Sequence, residues 1–183
     1  IRSELFVCEK QVDEKEEFIR VNDGDFYLKD TKWYMHGINY WPLYHVSLEL
    51  TDYWLGAFDK SMYIPSEVDK DLAFLKKQQI NSVAIRLENN AFCRIVQPLK
   101  DFLHRCRKYD IKVSLSFANI TNPLYFQKSA YEKFMSMLEI EGDSTVFALD
   151  IAWEVGSHFY DADTKDKFLP DWKKWLEEQY GSI

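Results

Sequence analysis

Ile80 to Glu88 reads INSVAIRLE, and its alternation decides between two folds. In an extended chain successive side chains point to opposite faces, so Val83, Ile85 and Leu87 share one side while Ala84, Arg86 and Glu88 share the other. The same division recurs downstream. In IKVSLSFA (Ile111 to Ala118), Val113, Leu115 and Phe117 oppose Ser114, Ser116 and Ala118. In TVFALDIAWE (Thr145 to Glu154), Phe147, Leu149, Ile151 and Trp153 oppose Ala148, Asp150, Ala152 and Glu154. Each strand thus has one greasy face and one small or polar face. A doubly wound sheet meets helices on both faces and favours near-continuous apolar strands. A (β/α)8 barrel needs only its outer face covered, and this pattern suits it better.

Between these strands the apolar period becomes helical. Ser66, with Asp69 three residues on, forms a capping-box pattern ahead of a helix over Glu67 to Gln78, with Val68, Leu72 and Leu75 on one face. QPLKDFLHRCRKYD predicts a second helix with Leu99, Phe102, Leu103 and Cys106 on its stripe. Tyr125 to Glu141 predicts a third, aligning Ala130, Phe134, Met137 and Leu138. LPDWKKWLEEQY predicts a fourth that packs Trp172, Trp175, Leu176 and Tyr180. Upstream, Phe18 to Val21 and Phe26 to Leu28 flank Asn22-Asp23-Gly24-Asp25, a hairpin turn signal, and KWYMHGIN supplies the first strand of the main domain.

These boundaries divide the chain into an N-terminal extension and hairpin (residues 1–30), capping the barrel, and four strand-then-helix units (31–183). Strand–helix alternation means parallel strands joined by right-handed crossovers. A whole barrel takes about 250 residues, so four units are its first half: a fragment lacking its C-terminal half, or one that pairs with a second chain.

Composition narrows the function. A net charge of −7 argues against nucleic acid as partner, which calls for a basic face. No apolar run approaches the roughly 20 residues of a membrane span. Cys8, Cys93 and Cys106 form no CxxC pair and read as free thiols. The four histidines lack zinc-site spacing, DADTKD lacks the Gly and Glu of a calcium loop and reads as a solvated loop, and no Gly-rich loop follows a strand, so neither metal nor cofactor is expected. The cysteines leave the compartment open, an extracellular or periplasmic one being favoured. Six Trp and eleven Tyr are an unusual number for this length; most belong to the core, but flat aromatic faces also suit clefts that grip sugars.

Chemistry in a barrel sits at the carboxyl ends of the strands. Those ends carry Asn39, Tyr40 and Trp41, then Arg86 and Glu88, then Asn119, then Glu154. Asp150 lies on the same inward face as Glu154 but deeper, where Arg86 neutralises it. The motifs FYLKDTKWYMHGINYWP, VDKDLAFLKKQQINSVAIRL, LKDFLHRCRKYDIKVSLSFA and FALDIAWE, in that order, resemble the first half of a retaining β-glycosidase of the large (β/α)8 clan of cellulases, mannanases and β-galactosidases. Gln79 stands where that clan's pattern usually has Gly. The resemblance implies Glu154 as the acid/base catalyst and Arg86 as a brace of the site. It makes Trp41 a sugar platform; by their place at the strand ends Asn39, Asn119 and Trp153 are read as substrate contacts, as is His158 in the loop after Glu154. The implied activity is hydrolysis of β-glycosidic bonds in a poly- or oligosaccharide by double displacement. The nucleophile comes from the seventh strand, outside this chain, so the chain alone is expected to be inactive. A non-catalytic carbohydrate-binding barrel and a doubly wound domain for a small anion are the alternatives.

Overall fold

A computed structural model describes residues 12–45, 57–87, 92–117, 128–150 and 162–181. A small antiparallel sheet comes first, of β1 (Ile19–Asn22), β2 (Asp25–Leu28) and β3 (Thr31–Lys32). Its first turn is the expected one: Asp23 and Gly24 take φ of 49° and 80°, the left-handed pair a two-residue hairpin requires. Four parallel strands follow, β4 (Gly37–Asn39), β5 (Ser82–Leu87), β6 (Lys112–Phe117) and β7 (Val146–Asp150), in the order β4-β5-β6-β7. Four helices accompany them: α1 (Pro65–Lys77), α2 (Phe92–Lys108), α3 (Lys128–Leu138) and α4 (Ala162–Tyr180). The architecture is α/β with a parallel sheet. The described strands form an open sheet, not a closed barrel.

The alternation read from INSVAIRLE holds. Val83, Ile85, Leu87, Val113 and Leu115 are all at most 2% exposed and join Val68, Leu72, Leu99, Phe102, Phe134 and Leu138 in one core. Helices α1, α2 and α3 therefore lie on one face, α2 beside both neighbours. Each such side chain, fully buried, contributes about 2 kcal/mol. The opposite face carries Ala84, Arg86, Ser114 and Ala148, half-buried, with Asp150 exposed.

Helix boundaries depart from the sequence reading for identifiable reasons. Helix α1 starts at Pro65 after Ile64, and Ser66 makes no side-chain cap, because proline's fixed φ suits the first helical position. Helix α2 begins five residues before the expected Gln97 and runs through Pro98. Proline has no N–H and leaves the carbonyl four residues back without its helical donor. That carbonyl belongs to Arg94, and the Lys60 N–H reaches it at 3.2 Å. Helix α3 stops at Leu138, short of the expected Glu141, because Glu139 turns left-handed with φ of 54°. KWYMHGIN is not one strand: Lys32 ends β3 and only Gly37–Asn39 forms β4, and DADTKD is helical from Ala162 instead of a loop.

Two helix ends share one device. After α1, Ile80 N–H donates to the Leu75 carbonyl at 3.0 Å and Gln79 N–H to that of Lys76 at 3.0 Å. After α2, Ile111 and Asp110 repeat this toward Cys106 and Arg107 at 2.9 and 3.0 Å. This double bond pattern is a Schellman closure, which needs a left-handed residue; Gln79 and Asp110 supply it with φ of 62° and 53°.

The packing expected of α4 is not found. Trp172, Trp175 and Tyr180 are 53, 43 and 74% exposed. They contact one another instead, Trp172 stacking on Trp175 at 5.1 Å. Phe147 also leaves its expected place beside Leu149. The β6–β7 register slips between Val113/Val146 and Ser114/Ala148, making Phe147 the extra residue, with its ring 5.4 Å from Trp33 and 6.5 Å from Phe26. The small sheet thereby packs against the start of β7.

Candidate functional site

The register aligns Arg86, Ser116 and Asp150 across β5, β6 and β7. Neighbours in a parallel ladder project to the same side, so these three form a row on the face away from α1–α3, at the carboxyl end of the described strands. Ser116 Oγ donates to Asp150 Oδ2 at 3.0 Å. Ser116 was legible only as a small inward residue; its role between Arg86 and Asp150 depends on strand register. Below this row run Asn39, Ala84, Ser114 and Ala148, small side chains that leave room above the sheet.

The segment after β4 alternates in the same way. Asn39 is exposed and aligned with Ala84 on the polar face. Tyr40 turns into the core, stacks on Phe102 at 5.4 Å and donates its hydroxyl to Asp71 at 2.9 Å. Burial, reinforced by the Asp71 carboxylate, pushes the Tyr40 hydroxyl far above the ordinary phenol range, so it stays a neutral donor. Trp41 is half-buried directly after it. Tyr44, further along, is a packing residue: its hydroxyl donates to the Ala57 carbonyl at 3.2 Å, and burial pushes its pKa up to about 12. Glu154, Asn119, Trp153 and His158 lie outside the described residues, as does Glu88.

Other polar clusters lie on the helical side or at the opposite end of the sheet. Tyr63 donates to Asp101 at 2.8 Å, and Arg105 bridges Asp101 and Asp69, tying α1 to α2. At the amino ends of the strands Arg107 makes two bonds to Asp13, at 2.8 and 2.7 Å, and the buried Lys112 donates to the carbonyls of Ser144 and Glu17 at 2.8 and 3.1 Å. The Arg107 bond is the main cause that holds the Asp13 carboxyl down at about 2, against the cost of burial. These clusters fasten the N-terminal segment beneath the sheet, away from the row.

Among the described residues no group of His, Cys, Asp and Glu is placed to hold a metal ion, and no helix is long and apolar enough to cross a membrane. A cavity of about 730 Å³ lies along β7, lined by Phe18, Tyr131, Met135, Val146, Phe147 and Leu149. It lies against α3 and is mostly apolar, with the carboxylates of Glu132, Glu139, Glu141 and Asp143 also on its lining. The row thus sets a guanidinium, a hydroxyl and a carboxylate side by side on one face of the sheet. No protein-family model, curated protein or solved structure matches this chain.

Proposed function

We propose that the chain is the N-terminal half of a (β/α)8 retaining β-glycosidase, with Glu154 as its acid/base. The observation that carries this reading is the uninterrupted order β4-β5-β6-β7 with α1–α3 on one face. A doubly wound sheet reverses its strand order at a switch point, and none occurs among the described strands. Sequential order with right-handed crossovers keeps α1–α3 on one side and reserves the other for a barrel interior. That side holds Asn39, Arg86, Ser116 and Asp150. By alternation Glu154 has the parity of Asp150, four residues on.

In this mechanism a carboxylate from the absent half attacks the anomeric carbon. Glu154 protonates the departing oxygen, giving a glycosyl-enzyme and a free alcohol. Glu154, now ionised, then takes a proton from water as the hydroxide displaces the enzyme carboxylate. The two carboxyl groups stand about 5–5.5 Å apart in such a site. Arg86 braces the site, Asn39 and Asn119 bond sugar hydroxyls, Trp41 and Trp153 stack on ring faces, and His158 lines the cleft. Residues 1–30 cap the amino end of the barrel and 31–183 form its first half.

The test uses the gene product with the strand that carries the nucleophile. Glu154→Gln is expected to slow hydrolysis of unactivated β-glycans by about 10²–10⁴-fold, while glycosyl-enzyme still forms from aryl glycosides with good leaving groups. Unchanged turnover of β-glycan would refute the assignment. Oligosaccharide binding without hydrolysis by the unaltered protein would assign a non-catalytic barrel instead.

A further inference from the structure

On the polar face of the sheet Ser116 is 3% exposed, whereas Ser114, two residues back on the same strand and face, is half-buried. Their neighbours account for the difference. Ser114 stands between Ala84 and Ala148, and Ser116 between Arg86 and Asp150, whose longer side chains shield it. A buried hydroxyl needs a partner, and Ser116 Oγ donates its one proton to Asp150 Oδ2 at 3.0 Å. Its lone pairs are left to accept. A guanidinium only donates, a hydroxyl does both and an ionised carboxylate only accepts. Arg86, Ser116 and Asp150 stand in that order across three adjacent strands, which gives hydrogen bonding along the row a single direction. The two outer residues lie about 10 Å apart, twice the strand spacing. A residue as small as serine leaves that gap open for an arginine side chain to cross; a larger one would close it.

We infer that Ser116 and Asp150 are positioning residues of the proposed glycosidase, a pair that fixes the Arg86 guanidinium in the floor of the cleft below Glu154. The inference rests on the glycosidase reading above. The Asp150 carboxylate attracts the guanidinium, and the Ser116 hydroxyl holds that carboxylate in one orientation. Neither residue touches the reacting atoms. Four residues of extended chain separate Asp150 from Glu154, about 13 Å at the rise of a strand, too far for contact. The pair therefore acts through Arg86, and a displacement of about 1 Å in such a group is enough to slow a reaction about 100-fold.

The test measures β-glycan hydrolysis by the same gene product used for Glu154, with circular dichroism and the thermal midpoint reporting folding. Ser116→Ala is expected to lower kcat about 10–100-fold, the range of one hydrogen bond to a charged group. KM should change less than about 3-fold, because the bond acts on the transition state and not on sugar binding. Ser116→Thr keeps the hydroxyl and should recover kcat to within about 3-fold of the unaltered enzyme. Asp150→Asn should fall as far as Ser116→Ala, and the double variant no further, as expected of residues that act as a unit. Unchanged kcat in Ser116→Ala would overturn the inference, as would fully additive losses or a Ser116→Thr enzyme as slow as Ser116→Ala. Should Ser116→Ala not fold, Asp150→Asn decides: a lower kcat at constant KM upholds the pair, and an unchanged kcat rejects it. The glycosidase reading survives each of these failures so long as Glu154→Gln removes turnover. A gene product that hydrolyses no β-glycan before any substitution refutes that reading and this inference together.

Discussion

Gln79 shows how one residue records a backbone demand. The closure of α1 into β5 requires a left-handed residue, and Gln79 adopts φ of 62°. For a residue with a Cβ that conformation costs about 1–2 kcal/mol. Glycine escapes the clash but loses more chain entropy on folding. Gln79→Gly is therefore expected to raise stability by about 1 kcal/mol, shifting the thermal midpoint by about 2–4 °C for a chain of this size. Gln79→Ala, which retains the Cβ, should bring no such gain, and thermal unfolding of the pair checks the cause. Asp110 occupies the equivalent place after α2, but Asp tolerates this region better and Lys76 contacts its carboxylate at 3.0 Å, so Asp110→Gly should gain less. That position 79 is Gln and not Gly is visible in the sequence, whereas its conformation is a property of the folded turn.

At the scale of elements, Asn81 joins three of them. Its side-chain carbonyl accepts from His36 N–H at 2.8 Å, and its amide donates to the Tyr34 carbonyl at 2.7 Å. Its backbone N–H donates to His36 and its carbonyl accepts from Lys112, each at 2.9 Å. The entries to β4, β5 and β6 are thereby clamped together. Asn81→Ala removes the two side-chain bonds and is expected to cost about 2 kcal/mol, read as a lower urea midpoint with an unchanged slope. Asn81→Asp keeps the acceptor for His36 and loses the donor to Tyr34, so it should fall between. Gly37 serves the same junction by its lack of a side chain, since a Cβ there would stand 2.4 Å from Ser82 Oγ. The motifs HGIN and INS are thus structural at Gly37 and Asn81, while Asn39, two residues on, faces the proposed site.

For the molecule as a whole, acid stability depends on how the N-terminal segment is fastened beneath the sheet. Asp13 accepts from Arg107 and from Ser144 N–H at 2.7 Å, and its folded pKa lies at about 2, below the ordinary 3.8. A depressed carboxyl pKa stabilises the folded state above the unfolded value, and the contribution fades as the group protonates. The contribution of Asp13 is therefore complete above pH 3.8 and lost as pH falls through about 2. Asp13→Asn should lower stability near neutrality by about 2 kcal/mol, the amount that corresponds to a carboxyl pKa lowered from 3.8 to about 2. The gap between the two proteins should narrow steadily across that window in urea titrations at successive pH values. A gap independent of pH would show that the carboxylate charge is not the fastener.

Much of the fold was legible locally. Alternation in INSVAIRLE and IKVSLSFA places Val83, Ile85, Val113 and Leu115 inward toward helices, because a strand's geometry sends neighbours to opposite faces. The Asp23-Gly24 turn was legible for the same local reason. What only the tertiary structure decided involves groups far apart in the chain. Pro98 sits inside a helix because Lys60 satisfies the carbonyl it frees, Phe147 leaves the strand period where Trp33 and Phe26 receive it, and Ser116 stands between Arg86 and Asp150 through strand register. The tryptophans of α4 carry a packing stripe in sequence but stay exposed, since a stripe specifies that a helix has an apolar side and not that a surface is present to meet it.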